Sequence, residues 1–173
     1  MKILIVVDML NDFVHEKGAL FFQTGADIIP AVKKRIAFHR ANESRIIYLS
    51  DAHDKDDKEF DIFPPHAIEG TWGASIIDEL APEKGDVVIP KKRYSGFYNT
   101  NLDVHTSYAP LVDEVEVVGV CTSICVMDTV GGLANRDIKT VVPADAVADF
   151  DPAAHVAALN RMGSIYGANT VGV

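Results

Sequence analysis

Along this chain, short runs of continuous apolar residues take turns with longer stretches in which apolar positions recur three and four apart. The run Ile3 to Val7 and, around a single Glu116, the run Val115 to Val118 do not alternate polar with apolar. That is the pattern of strands covered on both faces. Strands are predicted at about Lys2 to Val7, Arg45 to Leu49, Asp86 to Ile89, Val115 to Gly119, Thr140 to Val142 and near Thr170. Helix signals lie between them. Pro30 stands in the first turn of an amphipathic stretch ending near Asn42, and Thr122 or Ser123 is placed to cap a helix that stops around Asn135 and Arg136. A third helix, about Pro152 to Met162, follows Asp151. Strand and helix in repeated succession predict right-handed crossovers, hence an α/β, doubly wound, mostly parallel six-stranded sheet with helices on both faces. One domain spanning residues 1–173 is expected from the length.

The rhythm breaks once, between Asp51 and Trp72. This region opens with the charged run His53 to Glu59 and continues as FDIFPPHAIEGTWG. Irregular segments this long inside a compact domain tend to be functional or disordered. The charge run by itself reads as a solvated loop.

Composition narrows the classes. The chain is 48% hydrophobic and 24% charged, and no apolar stretch approaches the about 18 residues a membrane helix needs, so no membrane partner is expected. The formal net charge of -9 repels phosphate backbones, and the basic clusters Lys33-Lys34-Arg35 and Lys91-Lys92-Arg93 are small, so nucleic acid is not an expected partner. The N-terminal run stays apolar for five residues before Asp8 with no small-residue cleavage site after it, which predicts no signal peptide and a cytoplasmic location. In a reducing compartment, Cys121 and Cys125 are more often catalytic or metal-binding than a structural disulfide.

In an open parallel sheet, polar residues just past the strands converge on one crevice. Asp8 follows the first predicted strand, Asp51 and His53 the second, Lys91 the third and Cys125 the fourth. Each alone has a plain reading: Asp8 as a turn former, Lys91 as a surface cation beside Lys92 and Arg93, Cys125 as a small buried hydrophobe, Cys121 as structural. Together they suit nucleophilic catalysis. A cysteine near a helix N-terminus gains from backbone N–H groups and the dipole, a lysine adds to that, and a carboxylate can take the thiol proton. Asp51 and His53, two apart in extended backbone, point the same way, and His66 after Phe63-Pro64-Pro65 offers a third ligand. Such a set suits zinc, iron or manganese with open positions, although a solvated loop histidine is the plainer reading of each imidazole.

Three segments carry a resemblance. VVDMLNDF, IPKKRYSGF and GVCTSICV, in this order between residues 6 and 126, resemble the motifs of the isochorismatase-like cysteine hydrolases, and within them those of nicotinamidases. The resemblance implies that fold, with Asp8, Lys91 and Cys125 as the catalytic triad. It implies a cis peptide at Val120–Cys121, with the N–H groups of Cys121 and Cys125 forming an oxyanion hole. It places Phe13, Phe63 and Val120 around the substrate. SDAHD and FPPHAIEGT resemble the family's metal-binding segments, making Asp51, His53 and His66 the ligands of a divalent metal, with zinc first and iron or manganese as alternatives. Two positions depart from the pattern: some nicotinamidases have an additional histidine where this chain has Asp57, Lys58 and Glu59, and Ser123 stands where Asp is common.

The implied reaction is amide hydrolysis through a thioester, nicotinamide to nicotinate and ammonia, in a homo-oligomeric enzyme with a small-molecule amide as its partner. Two alternatives compete. One is a metal-free hydrolase of N-carbamoyl, ureido or isochorismate-like compounds, against which Asp51, His53 and His66 argue. The other is a redox or metal-binding thiol protein, in which Asp8 and Lys91 have no task.

Overall fold

The computed structural model describes residues 1–106 and 112–172. Its central strand β1 is Lys2–Val7, flanked by β2 (Arg45–Asp51) and β4 (Glu114–Val120). With β3 (Val87–Lys91), β5 (Thr140–Pro143), β6 (Val147–Ala148) and β7 (Asn169–Val171) they form a seven-stranded sheet ordered β3-β2-β1-β4-β5-β7, and β6 pairs with β4. Every one of these pairings is parallel. The expected six strands are therefore joined by a seventh. At two residues, β6 is too short to leave a periodicity, and only its pairing with Gly119 and Val120 makes it a strand.

The continuous apolar runs are explained by two cores. Ile3, Ile5 and Val7 pack on one face with Val130 and Leu133 of α5 (Met127–Ala134) and Leu159 and Met162 of α6 (Pro152–Ser164). Leu4 and Val6 pack on the other with Val32 and Ile36 of α3 (Ile29–Ala41). Successive side chains of a strand point to opposite faces, so a strand buried on both must be apolar throughout. Three helical pieces of four or five residues, α1 (Asn11–Val14), α2 (Gln23–Asp27) and α4 (Leu102–Thr106), are too short for a sequence signal. No helix among the described residues is long and apolar enough to cross a membrane.

Capping follows the prediction at one helix and departs from it at another. Asp151 caps α6 by accepting from the N–H groups of Ala153 and Ala154 at 2.8 and 3.2 Å. The cap expected from Thr122 or Ser123 is not made. Those residues open a π-helical turn, Thr122–Val126, that runs into α5, and the residue before it, Cys121, makes no side-chain cap. The Ser123 N–H is met instead by Asp149 Oδ2, 2.8 Å away and remote in sequence.

The chain order makes a crevice. From β1 the chain moves outward through β2 and β3, then returns to lay β4 on the other side of β1, so the connections after β1 and β4 leave in opposite directions. The register aligns the carboxyl ends, pairing Val7 with Leu49 and Gly119, and Asp51 with Lys91. Gly119 is required here: its φ is +112, and a Cβ would stand 2.1 Å from the carbonyl oxygen of Val7.

The region after β2 bears out the reading of its charge run as a solvated loop only in part. His53, Asp57, Glu59 and His66 are all buried. The backbone turns through Lys58–Asp61 as a 3₁₀ helix whose first N–H groups include that of Glu59, bonded to Asp57 Oδ1 at 3.0 Å, and His53 bridges to Ile68. The side chains of His53, Asp57 and Glu59 turn inward toward one another, while Asp54, Lys55, Asp56 and Lys58 stay exposed.

Candidate active site

Asp8 leaves β1 with a left-handed backbone, φ +50, which aspartate tolerates better than most residues. Its N–H donates to the Leu49 carbonyl at 2.9 Å, and its Oδ1 accepts from the Asp51 N–H at 2.8 Å. The side chain is thereby tied to the end of β2. Lys91, the last residue of β3, is 1% exposed and reaches three partners with one ammonium: Asp8 Oδ2 at 2.8 Å, Asp51 Oδ1 at 2.6 Å and Cys125 Sγ at 3.4 Å. A buried cation is tolerable only when so paired. The structure thus brings Asp8, Lys91 and Cys125 together, and it adds Asp51 to them.

The charges are uneven. Burial works against the Lys91 ammonium, but Asp51 and Asp8 outweigh it and hold the group well above the ordinary lysine range. Burial first, then the neighbouring Asp51, push Asp8 up to about 6 despite the lysine. Burial drives the Cys125 thiol well above its ordinary value, with Lys91 opposing and the two carboxylates adding to the rise. Burial thus disfavours the thiolate, and forming one calls for a nearby base to take the proton. Burial likewise raises Cys121.

Asp51 turns toward a second group. One ligand atom each from Asp51, His53 and His66 lie within 4.8 Å of one another, and all three residues are buried. His53 Nε2 is buried without a hydrogen-bond partner, 3.7 Å from Asp51 Oδ2 and 4.0 Å from Glu59 Oε1. His66 Nε2 is 3.7 Å from the same Glu59 oxygen. The other ring nitrogens are occupied, His53 Nδ1 by Asp57 Oδ2 at 3.1 Å and His66 Nδ1 by the Pro64 carbonyl at 2.7 Å. An orphaned imidazole nitrogen facing two carboxylates and a second imidazole is a donor set that fits a divalent cation such as zinc, iron or manganese. Glu59 belongs to this group, and sequence reasoning passed over it as a ligand, naming it only with Asp57 and Lys58 as a departure from the resemblance.

A cavity of about 350 Å³ joins the two groups, lined by Asp8 and Cys125 of the first and by Asp51, Glu59 and His66 of the second. This is within the range of small-molecule sites, about 300–1,000 Å³. Phe13, Phe63 and Val120 line it, and Phe13 and Phe63 stand edge-on to His66 with centroids 5.5 and 6.2 Å away. Tyr94, Ile124 and the facing pair Phe22 and Phe150 also line it without having been foreseen; Tyr94 and Ile124 lie inside two of the motifs, whereas Phe22 and Phe150 meet only through the fold. Among the described residues, no arginine or lysine lines the cavity. Cys121 and Cys125 both do, and the peptide joining Val120 to Cys121 is cis.

Two carboxylates outside the cavity hold its walls. Asp12 accepts from the N–H groups of Ala19 and Ala67, at 3.0 and 2.7 Å, tying together the loops that carry them. Asp149 holds Ser123 in the nucleophile loop, and Thr122 Oγ1 beside it lies 2.9 Å from His155 Nδ1 of α6.

Compared with known proteins, the chain matches the isochorismatase domain over residues 2–171. It is 30% identical to ureidoacrylate amidohydrolase RutB of Methylorubrum extorquens, over 95% of this chain and 77% of that one. The crystal structure of nicotinamidase PncA from Bacillus subtilis superposes with a TM-score of 0.91 at 31% identity, covering 98% of both chains. Pyrazinamidase of Pyrococcus horikoshii, solved in complex with zinc, superposes with a TM-score of 0.91 at 29% identity, covering 99% of both.

Proposed function

Because the chain belongs to the isochorismatase family, whose members include amide hydrolases, we propose that it is a cysteine amidohydrolase of neutral heteroaromatic carboxamides, converting nicotinamide to nicotinate and ammonia. The observation that carries this reading is the cavity: it is lined by the Cys125 thiol and the Asp8 carboxylate, with the Lys91 ammonium behind them, by the imidazole of His66 and the carboxylates of Asp51 and Glu59, and by aromatic rings. An amide with a flat ring and a ring nitrogen matches each of these surfaces.

Asp8 takes the proton of Cys125 as Sγ attacks the carboxamide carbon, with Lys91 stabilising the negative charge shared between them. The developing oxyanion is received by the N–H groups of Cys121 and Cys125, an arrangement that in other enzymes contributes on the order of 10² to 10³ in rate per donor. Asp8 returns the proton to the departing nitrogen and ammonia leaves. The same carboxylate then deprotonates water, which opens the thioester and frees the acid and the thiol. Asp51, His53, His66 and Glu59 would hold a divalent metal, zinc foremost by analogy with the Pyrococcus horikoshii relative, and when bound it supplies a Lewis acid for the ring nitrogen. Phe13 and Phe63 confine the ring and exclude water, so that binding energy is used for orientation.

The ureido reading, supported by the ureidoacrylate relative, has one observation against it. That substrate is an anion, and no arginine or lysine lines this cavity among the described residues, while Asp51 and Glu59 do. Ammonia release from a panel of nicotinamide, pyrazinamide, N-carbamoyl amino acids and ureidoacrylate tests the choice. The two heteroaromatic amides are expected to give the highest kcat/KM, and faster turnover of ureidoacrylate would overturn the proposal. Cys125→Ala is expected to abolish release, whichever substrate is preferred.

A further inference from the structure

The charged run after Asp51 and the basic cluster after β3 meet in a contact that the mechanism above does not use. The Asp57 side chain is 3% exposed. Its Oδ2 accepts from His53 Nδ1 at 3.1 Å, its Oδ1 accepts from the Glu59 N–H at 3.0 Å, and Arg93 Nη1 donates to both oxygens at 3.1 and 2.9 Å. Arg93 is two residues past Lys91, so the strand end that sends one cation to Asp8, Asp51 and Cys125 sends another to Asp57. Lys92 between them turns outward to Asp54 and is solvated. The carboxylate is thus held on two sides by groups of fixed position and presents its remaining capacity to one imidazole.

We propose that Asp57, clamped by Arg93, is a positioning residue for the metal site: it holds His53 with Nδ1 as the protonated nitrogen, so that the unpartnered Nε2 faces the point shared by Asp51, His66 and Glu59. This rests on the metal-binding reading of those four residues. An imidazole can ligate only through a nitrogen free of its proton, and a carboxylate on the opposite nitrogen selects the tautomer, stops the ring from flipping and makes it a better donor. Without Asp57, the ring is free to expose either nitrogen, and part of the binding energy is lost in ordering it. The Asp57 oxygen that caps the 3₁₀ turn at Lys58 is one of the two that Arg93 holds, so the clamp and the turn share an anchor.

The test is zinc affinity, measured on the metal-free protein by competition with a chromogenic chelator. Wild type is expected to bind one zinc ion, and Asp57→Asn is expected to weaken it by roughly 10 to 100-fold, as losing such a partner does elsewhere. Arg93→Gln, at a half-exposed side chain whose loss leaves the core intact, is expected to weaken zinc in the same direction by less. Asp57→Asn made in the His53→Ala background separates positioning from general damage. Little additional loss there is expected if Asp57 acts through His53, whereas an equal loss in both backgrounds would overturn the proposal. Unchanged zinc affinity in both single variants would overturn it while leaving the metal reading standing, and a wild-type protein that binds no zinc would remove the metal reading and this inference with it.

Discussion

At Asp8, Lys91 and Cys125, each side chain is out of character for its surroundings and is made tolerable by the others. A lysine 1% exposed would lose its charge in an apolar interior; here two carboxylates keep it. The consequence is a base tuned toward neutrality. Asp8, raised to about 6, is protonated below that pH and cannot accept the Cys125 proton, while above it the carboxylate is available. Activity is therefore expected to fall on the acid side: kcat/KM should lose about tenfold per pH unit below an inflection near 6. Initial rates of ammonia release across that range provide the check, and a flat profile down to pH 4 would contradict the assignment of Asp8 as the base. The sequence placed these three residues at strand ends, which is why they could be picked. It did not disclose Asp51's contact with Lys91, because a contact between the ends of two strands depends on their register.

At the scale of elements, the nucleophile loop is the point of interest. β4 delivers the chain to Cys121, and the π-helical turn Thr122–Val126 carries Cys125 into place, yet nothing local caps that turn. The work is done by Asp149, just after the two-residue strand β6, whose Oδ2 takes the Ser123 N–H. Thr24 Oγ1 in turn donates to the Asp149 carbonyl at 2.7 Å, so α2, β6 and the loop form one assembly. Asp149→Ala leaves a half-buried N–H unsatisfied, a loss of about 1 to 3 kcal/mol in stability, and lets the loop drift. The expected result is a lower urea midpoint together with a kcat/KM reduced at least about tenfold, a change equivalent to 1.4 kcal/mol in the barrier. Asp149→Asn keeps the acceptor and should recover most of both. This element was only half legible. The motif GVCTSICV marked a loop followed by a helix, but its cap lies 26 positions onward, beyond any local pattern.

For the whole molecule, one sheet with a core on each face holds the crevice open at its carboxyl edge. Ile5 sits mid-strand in β1, fully buried, opposite Ile47 on one side and Val117 on the other. Ile5→Ala removes buried methylenes that close packing cannot easily replace, and is expected to cost about 2 to 5 kcal/mol. Ile5 does not itself line the cavity. Equilibrium urea unfolding should show the loss, while kcat per folded molecule should stay near wild type; a large fall in kcat of the folded fraction would mean that the core and the site are coupled more tightly than the packing implies.

The sequence by itself determined the parallel α/β sheet, because strands buried on both faces must be apolar at every position, and it marked the strand-end residues whose chemistry has no use in a core. Its three motifs also carried the family. Only the tertiary structure decided which charges meet. His53 and Glu59 looked like members of a solvated run until the loop folded back, and Arg93 looked like a surface cation until it closed on Asp57. The reason is physical: burial is dictated by patterns a few residues long, whereas a site of paired charges is built from distances between residues that the chain itself keeps far apart.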